Sequence, residues 1–287
     1  MKLNTTIKTL CAAVALATSA AASATPFYLD VGIDFDPIGV NQVTATSTSV
    51  KTEAQYKYKS TTTVFDTNGN GVGAGDFIST DIGLSAIGGT WGNSRITGFD
   101  PSQLGPNDSD NGYLNNYIIS LRATGLQGII QSVTGAGVPL LAYGPGLIEL
   151  LISFDFGATY KNFMDLKVSS GGSTGLGTVL FGTADFTNVD AAYNNLFHTA
   201  GQTCNGASGY FDIWTNCPGN NMPIMFAASQ DTNVLTSQFS LIGKDTYRLT
   251  STHDGSVDFD VPEPASLALL GMGLFGLGAI RRRKTVA

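Results

Sequence analysis

The stretch that decides the fold is IELLISFDF at residues 148–156. Every second side chain in it is apolar: Ile148, Leu150, Ile152, Phe154 and Phe156. Most of the residues between them are polar, as Glu149, Ser153 and Asp155 show. Successive side chains of a β-strand point to opposite faces of its sheet. The alternation therefore predicts a strand with one buried face and one solvated face.

The same alternation recurs on both sides of this stretch. Residues 27–35 carry an apolar side chain at every odd position, and residues 55–65 are rich in Thr and Tyr, which favour strands. Residues 247–261 alternate as well, and Asp254-Gly255 inside that run is typical of a hairpin turn. The sequence therefore predicts several strands and a hairpin near its end.

Composition agrees with an all-β body. The chain has 287 residues, of which 35 are glycine, and 13% are charged, well below the share of about 25% in an average globular domain. This excludes a coiled coil or helical bundle, and only residues 190–197 favour a short helix. Many strands with Gly-rich turns favour a sandwich or a barrel. We predict a single β-sandwich or jelly-roll-like domain over residues 25–260.

The N-terminus, residues 1–24, has the parts of a secretory signal peptide. Two lysines precede a short apolar run, and the small residues 22–24 form an Ala-x-Ala cleavage site. We therefore predict export through the secretion translocon, with cleavage between Ala24 and Thr25.

The C-terminus, residues 261–287, predicts a membrane anchor. Residues 265–280 carry no charge, and these 16 residues are slightly short for a spanning helix. Tilt and snorkelling cover such a deficit. A basic cluster at residues 281–284 follows, and such clusters stay on the cytoplasmic side. The predicted transmembrane helix therefore leaves the body of the protein on the exported side.

This order of Pro-Glu-Pro, apolar Gly-rich helix and basic tail resembles the PEP-CTERM sorting signal of exported bacterial proteins. The residues that carry the resemblance are Val261, Pro262, Glu263, Pro264, Arg281, Arg282 and Arg283. It implies an exosortase, a membrane transpeptidase-like protease, as the processing partner. It also implies a Gram-negative host that makes exopolysaccharide. An ordinary single-pass anchor is the alternative.

The resemblance further implies a route and a destination. The protein would pass through an inner-membrane intermediate held by the C-terminal helix, and would end at the cell surface or in the extracellular biofilm matrix. Exopolysaccharide or matrix proteins are the partners expected there. In size, strand alternation and Gly/Thr richness the body is also similar to flocculation-associated PEP-CTERM proteins.

The charge of the exported body limits its partners. Residues 25–260 hold 9 basic and 21 acidic side chains, a net charge of −12. Nucleic-acid binding is excluded because no basic patch neutralises phosphates. An acidic surface favours solubility and cations over anionic polymers.

Two cysteines remain in the body after signal-peptide removal, Cys204 and Cys217. An even pair in an oxidising compartment predicts a disulfide that closes a 14-residue loop. A metal site is the alternative, but the chain has only two histidines and no Cys-x-x-Cys, so we favour the disulfide.

One loop has the opening of a calcium-binding pattern. Asp66, Asn68 and Asn70 alternate before Gly71, as in an EF-hand loop, and Asp76 follows one place before the position of the usual glutamate. A Gly/Asn turn of a β-hairpin is the alternative and the interpretation that we favour. A second polar cluster at residues 107–111 either completes a cation site or is a solvated loop. No cofactor is expected to be required, and Ca²⁺ is the one candidate.

Catalytic motifs are not found. The sequence has neither Gly-x-Ser-x-Gly nor His-Glu-x-x-His, and its histidines, His198 and His253, are expected in loops or at the surface. Glu149 and Asp155 lie too far apart on one strand to form a glycosidase pair, at about 20 Å. We therefore expect a non-enzymatic surface protein that acts in adhesion or flocculation. A Ca²⁺-dependent carbohydrate-binding module and a secreted hydrolase are the alternatives. For six aromatics, packing in the core is the interpretation that we favour and stacking on sugar rings is the alternative: Trp91, Trp214, Tyr210, Phe211, Tyr56 and Tyr58.

Overall fold

The computed structural model describes residues 24–39, 41–100, 108–173, 177–201, 206–217, 223–231 and 234–261. Within them the chain forms strands and one α-helix, α1, at Tyr210–Asn216. The strands are β1 Phe27–Leu29, β2 Glu53–Phe65, β3 Phe77–Gly83, β4 Arg95–Asp100, β5 Ile118–Val133, β6 Pro139–Tyr143, β7 Gly146–Ser153, β8 Lys161–Ser173, β9 Thr178–Asp185, β10 Phe197–Thr199, β11 Met225–Gln230, β12 Ser240–Gly243 and β13 Thr246–Asp260.

The main sheet closes on itself. Strand β13 pairs with β11 along one edge and with β2 along the other, so the hydrogen-bonded path through β3, β5, β8 and β9 returns to its start. Strands β6 and β7 share the position between β5 and β8. The pairing is antiparallel throughout, and eight strand positions form a barrel-like ring.

This ring corrects the predicted arrangement of two facing sheets. The all-β prediction is confirmed, but the described strands form one closed sheet and a small separate pair, β1 with β10. Period-two alternation is the same in a sandwich and in a ring, because both have one buried face. What decides between them is the pairing of β2 with β13, which lie about two hundred residues apart in sequence.

The ring has two distinct ends. At the end where β13 finishes, an aromatic cluster packs together, and its members are Phe27, Phe99, Phe163, Phe197, Tyr210 and Phe259. We call this the anchor end, because the C-terminal segment leaves the sheet there. The opposite end, where Thr246 of β13 pairs with Phe65 of β2, is called the far end.

The hairpin predicted at Asp254-Gly255 is wrong. Strand β13 runs through both residues without a turn, and Gly255 pairs with Tyr56 on β2 and with Gln230 on β11. A Cβ on Gly255 would overlap the carbonyl oxygen of Ser229. The glycine is thus required for close approach of neighbouring strands and not for a turn.

Two other local predictions fail for identifiable reasons. The strand predicted over residues 27–35 ends at Leu29, because Asp30 accepts hydrogen bonds from the Thr44 and Thr46 hydroxyls and from the Gly32 backbone, which turns the chain. Residues 190–197 form turns and the start of β10, not a helix.

Among the residues that the structure describes, no helix is long and apolar enough to cross a membrane. The predicted spanning segment at residues 265–280 lies outside those residues, as do residues 1–23 of the predicted signal peptide.

Candidate functional sites

The predicted N-terminus of the exported body lies beside the residue that precedes Pro262. The backbone N–H of Val261 donates a hydrogen bond to the Thr25 hydroxyl at 3.0 Å, and the Thr25 N–H donates to the carbonyl of Phe259 at 2.8 Å. The Thr25 hydroxyl also lies 3.3 Å from a carboxylate oxygen of Asp260. Thr25 and Val261 are both buried. The two ends of the body are therefore fixed to each other at the anchor end.

The remaining sorting residues lie outside the described part of the chain: Pro262, Glu263, Pro264 and the basic residues 281–283. Cys204 does as well, so its disulfide with the buried Cys217 stays a prediction.

The candidate calcium loop joins β2 to β3 and contains Asp66, Asn68, Asn70 and Asp76. The Asp66 carboxylate accepts backbone N–H bonds from Asn68, Gly69 and Gly71 at 2.7–3.1 Å. Burial acts to raise the pKa of Asp66, but these bonds act against it, and the net effect is a lowered pKa.

The other carboxylate of this loop is equally engaged with the backbone. Asp76 is fully buried and accepts N–H bonds from Thr67 at 3.0 Å and Gly73 at 2.8 Å. The Asn68 side chain accepts the N–H of Asn70 at 2.9 Å. These are the bonds of a tight hairpin loop. In the described residues no group of three or more His, Cys, Asp or Glu side chains could hold a metal ion.

The second polar cluster contains an ion pair that the sequence did not indicate. Lys51 is fully buried, and its ammonium lies 2.6 Å from Asp110. Asn111 is buried too, and its side chain bonds the backbone of Ile33, Phe35 and Thr46. The cluster therefore holds the 30–50 segment onto the sheet, and the cation beside Asp110 is a lysine.

Three carboxylates lie side by side on neighbouring strands. Glu149 is opposite Asp165, which is opposite Asp185. Burial raises the pKa of Asp165, and repulsion from Glu149 and Asp185 raises it further. The outer two are neutralised, since Arg122 grips Glu149 with bonds of 2.6 and 2.8 Å and Lys167 lies 2.6 Å from Asp185. Sequence reasoning compared only Glu149 with Asp155 and so missed this row.

Most of the aromatic residues considered for sugar stacking belong to the core, as the favoured interpretation predicts. Tyr56, Tyr58 and Tyr210 are buried, and Phe211 and Trp214 pack against Phe186. A different pair is exposed, Phe65 and Phe77, which are 45% and 58% accessible and face each other across β2 and β3.

His253 was expected in a loop or at the surface, but it is buried inside the ring. Its Nε2 atom is 2.7 Å from the Ser251 hydroxyl and 2.9 Å from the Ser60 hydroxyl. Its Nδ1 atom lies 3.1 Å from the carbonyl oxygen of Asp231 and 3.6 Å from the carboxylate of that residue. Burial lowers the pKa of His253, although Asp231 acts to raise it. The imidazole is therefore neutral near pH 7.

This group, which we call the Ser251–His253 cluster, lines a cavity of about 30 Å³ within the far half of the ring. The inward position of Ser251 and His253 could have been predicted from the sequence. His253 and Ser251 occupy the same parity of the alternating run 247–261 as Leu249 and Val257, so two polar side chains interrupt an inward apolar face. Sequence reasoning treated the histidine alone and missed this signal.

The closed sheet ends at Asp260, and a family model describes the segment that begins there. The PEP-CTERM protein-sorting motif matches residues 260–284. The chain is therefore an exported protein with a C-terminal membrane-anchoring signal. The chain carries the PEP-CTERM sorting motif, and the motif implies an exosortase as processing partner. Comparisons with curated proteins and with solved structures return no match.

Proposed function

We propose that this protein acts at the cell surface or in the biofilm matrix, where it supports adhesion or flocculation by binding. The observation that carries the proposal is the position of the sorting motif, which starts at the last residue of β13. Cleavage after Val261 would remove no strand of the ring. The body could therefore leave the membrane folded.

The charge of the body supports the same role. A net charge of −12 over residues 25–260 keeps a protein soluble and disfavours anionic polymers. Neutral glycans, cations and other matrix proteins are therefore the partners that we propose.

The test compares the native host with and without its exosortase. We expect intact mass to show loss of the segment C-terminal to Val261 only when the exosortase is present, with the product outside the inner membrane. Glu263→Ala should retain the segment, whereas Asp254→Ala on the exposed side of β13 should be processed normally. An unprocessed inner-membrane protein in both strains would overturn the proposal.

The adhesive role needs its own readout. Deletion of the gene should lower cell aggregation and matrix retention, and the wild-type chain should restore both. Restoration by Glu263→Ala to the wild-type level would contradict a role that depends on sorting.

A Ca²⁺-dependent carbohydrate-binding module is a second candidate, favoured by one observation. The exposed pair Phe65 and Phe77 flanks the Asp66–Asp76 loop directly, and aromatic faces beside a cation loop suit a sugar ring. Phe77→Ser should abolish glycan binding, and Phe181→Ser, at an exposed position on β9, should not. Glycan binding that survives chelation would exclude the calcium dependence.

A further inference from the structure

The Ser251–His253 cluster has the parts of an activated nucleophile. Ser251 and His253 project to the same side of β13, Ser60 comes from β2, and Asp231 follows β11. The pairing of β2 with β13 sets Ser60 opposite Ser251, with their hydroxyl oxygens 3.3 Å apart. Three separate segments thus meet around one imidazole.

The hydrogen bonds fix which nitrogen of the imidazole is the base. A carbonyl oxygen only accepts hydrogen bonds, so the Asp231 carbonyl at 3.1 Å from Nδ1 requires the proton on that nitrogen. The Nε2 atom then carries a lone pair. It accepts the Ser251 hydroxyl at 2.7 Å, which leaves Ser60 to bond to the Ser251 oxygen. Ser251 is also the more exposed of the two serines.

A candidate donor for a developing oxyanion lines the same cavity as this pair. The hydroxyl of Tyr58 donates to the side-chain oxygen of Gln230, so the amide NH₂ of Gln230 remains to donate. Gln230 lines the same cavity as Ser251 and His253. Amide side chains of this kind stabilise the anion that forms when a hydroxyl attacks an ester.

The size and lining of the cavity limit the substrate. A cavity of about 30 Å³ admits about two water molecules, which matches an acetyl group and excludes long acyl chains. The apolar part of its lining includes four leucines: Leu126, Leu141, Leu180 and Leu249.

We propose that Ser251 is a nucleophile that hydrolyses acetate esters, with His253 as its general base and Asp231 as the residue that positions the imidazole. The Ser251 oxygen attacks the ester carbonyl and its proton passes to Nε2. The bond to the alcohol then breaks, and the alcohol leaves with that proton. Water then attacks the acetyl-serine and gives one proton to Nε2. As the bond between the acetyl carbon and the Ser251 oxygen breaks, Nε2 returns that proton to the Ser251 oxygen, and acetic acid leaves and ionises to acetate.

This activity goes beyond the proposed adhesive role and does not depend on it. The sorting assay concerns the segment after Val261, whereas the cluster lies within the ring. Either proposal can therefore fail while the other stands.

The first test is covalent labelling of the full chain with methanesulfonyl fluoride, whose transferred group is close to acetyl in size, read by intact mass and peptide mapping. We expect one methanesulfonyl group on Ser251, none in Ser251→Ala, and normal labelling in Ser256→Ala. Ser256 is the matched control because it also lies on β13 and pairs with a hydroxyl, that of Ser229, without a histidine. No adduct, or an adduct elsewhere, overturns the proposal.

The second test is turnover of p-nitrophenyl acetate against p-nitrophenyl octanoate. The acetate should be hydrolysed at least about tenfold faster, and His253→Gln should lower kcat/KM for it by about 10²-fold or more. Ser60→Ala should leave labelling intact and lower the rate by less than the His253 variant does. Equal rates for wild type and Ser251→Ala overturn the proposal.

The pH profile separates a base from a structural histidine. Tyr58 and Asp231 face the imidazole from the strands packed against β13, and Asp254 is its neighbour on the strand. The rate should rise with pH through a value below the ordinary pKa of histidine and then level off. If Ser251→Ala fails to fold by circular dichroism, Ser251→Thr replaces it, and loss of labelling in a folded Ser251→Thr protein still supports the assignment. A rate that has no such inflection overturns it.

Discussion

Val261 donates its backbone N–H to the hydroxyl of Thr25 across 3.0 Å, which joins the residue directly after the body to the first residue of the body. These two residues are separated by nearly the whole body in sequence. The contact fixes the strand end from which the sorting segment departs, and it is the basis of the first prediction.

Thr25→Val should lower the free energy of unfolding by about 1 kcal/mol, because the buried Val261 N–H loses its partner while the side-chain volume is kept. Chemical denaturation measures this. Thr252→Val is the control, since Thr252 is exposed on β13. Equal losses in both variants would show that the terminal contact adds nothing specific.

Lys51→Met should destabilise the protein by about 3 kcal/mol, because Asp110 would keep its charge without a partner. The exposed pair Lys57 and Asp254 provides the comparison, and Lys57→Met should change stability by less than about 0.5 kcal/mol.

The double variant Lys51→Met with Asp110→Leu should recover much of the lost stability, since no unpaired charge remains. Chemical denaturation of the wild type, Lys51→Met, Lys57→Met and the double variant measures these differences in stability. A double variant as unstable as Lys51→Met alone would contradict the ion-pair explanation.

Gly255→Ala should destabilise the ring by about 1–3 kcal/mol, because its Cβ overlaps the Ser229 carbonyl oxygen and forces β11 away from β13. Gly98→Ala on β4 meets no atom within 4 Å and serves as control. Loss of amide-exchange protection along β11 should accompany the change. Unchanged stability would instead suit a turn at residues 254–255.

Acidification should destabilise the wild-type protein more than His253→Gln. Burial depresses the pKa of His253 in the folded state, so the unfolded state binds its proton first. This contribution is complete above the ordinary pKa of histidine and is lost progressively as pH falls from there toward the folded-state pKa. Denaturation at pH 7.5 and 5.5 measures it, and parallel curves for both proteins would contradict it.

Cys217→Ser should lower stability by about 3 kcal/mol if Cys204 and Cys217 close the predicted 14-residue loop. Intact mass before and after reduction and alkylation gives the thiol count directly. Two free thiols in the protein isolated under oxidising conditions would refute the disulfide.

Alternation alone was enough to predict the β class. It correctly placed the inward faces of β7 and β13, because burial of one face imposes the pattern whatever the partner strand. Alternation could not predict closure of the ring, which depends on the pairing of β2 with β13. The pairing of Thr62 with Leu249 is one contact that closure creates.

The candidate sites were harder to predict than the fold. The sorting segment is linear, so its residues suffice for recognition. The Ser251–His253 cluster needs Ser60 and Asp231 from distant strands, and no spacing in sequence encodes their approach. The burial of Lys51 could not be predicted for another reason. A lysine is usually solvated, and only the position of Asp110 in the fold explains why this one is buried.

The pairing of β2 with β13 also determines when the ring can close. Among the strands described, β2 is the first long one to be synthesised and β13 the last, so the ring stays open until nearly all of the chain has crossed the membrane. The membrane-anchoring signal that the sorting motif implies begins at the end of β13, so it would still hold the chain at that moment. The final strand must therefore be captured close to the membrane surface, and release before capture would free an open sheet with two unpaired edges.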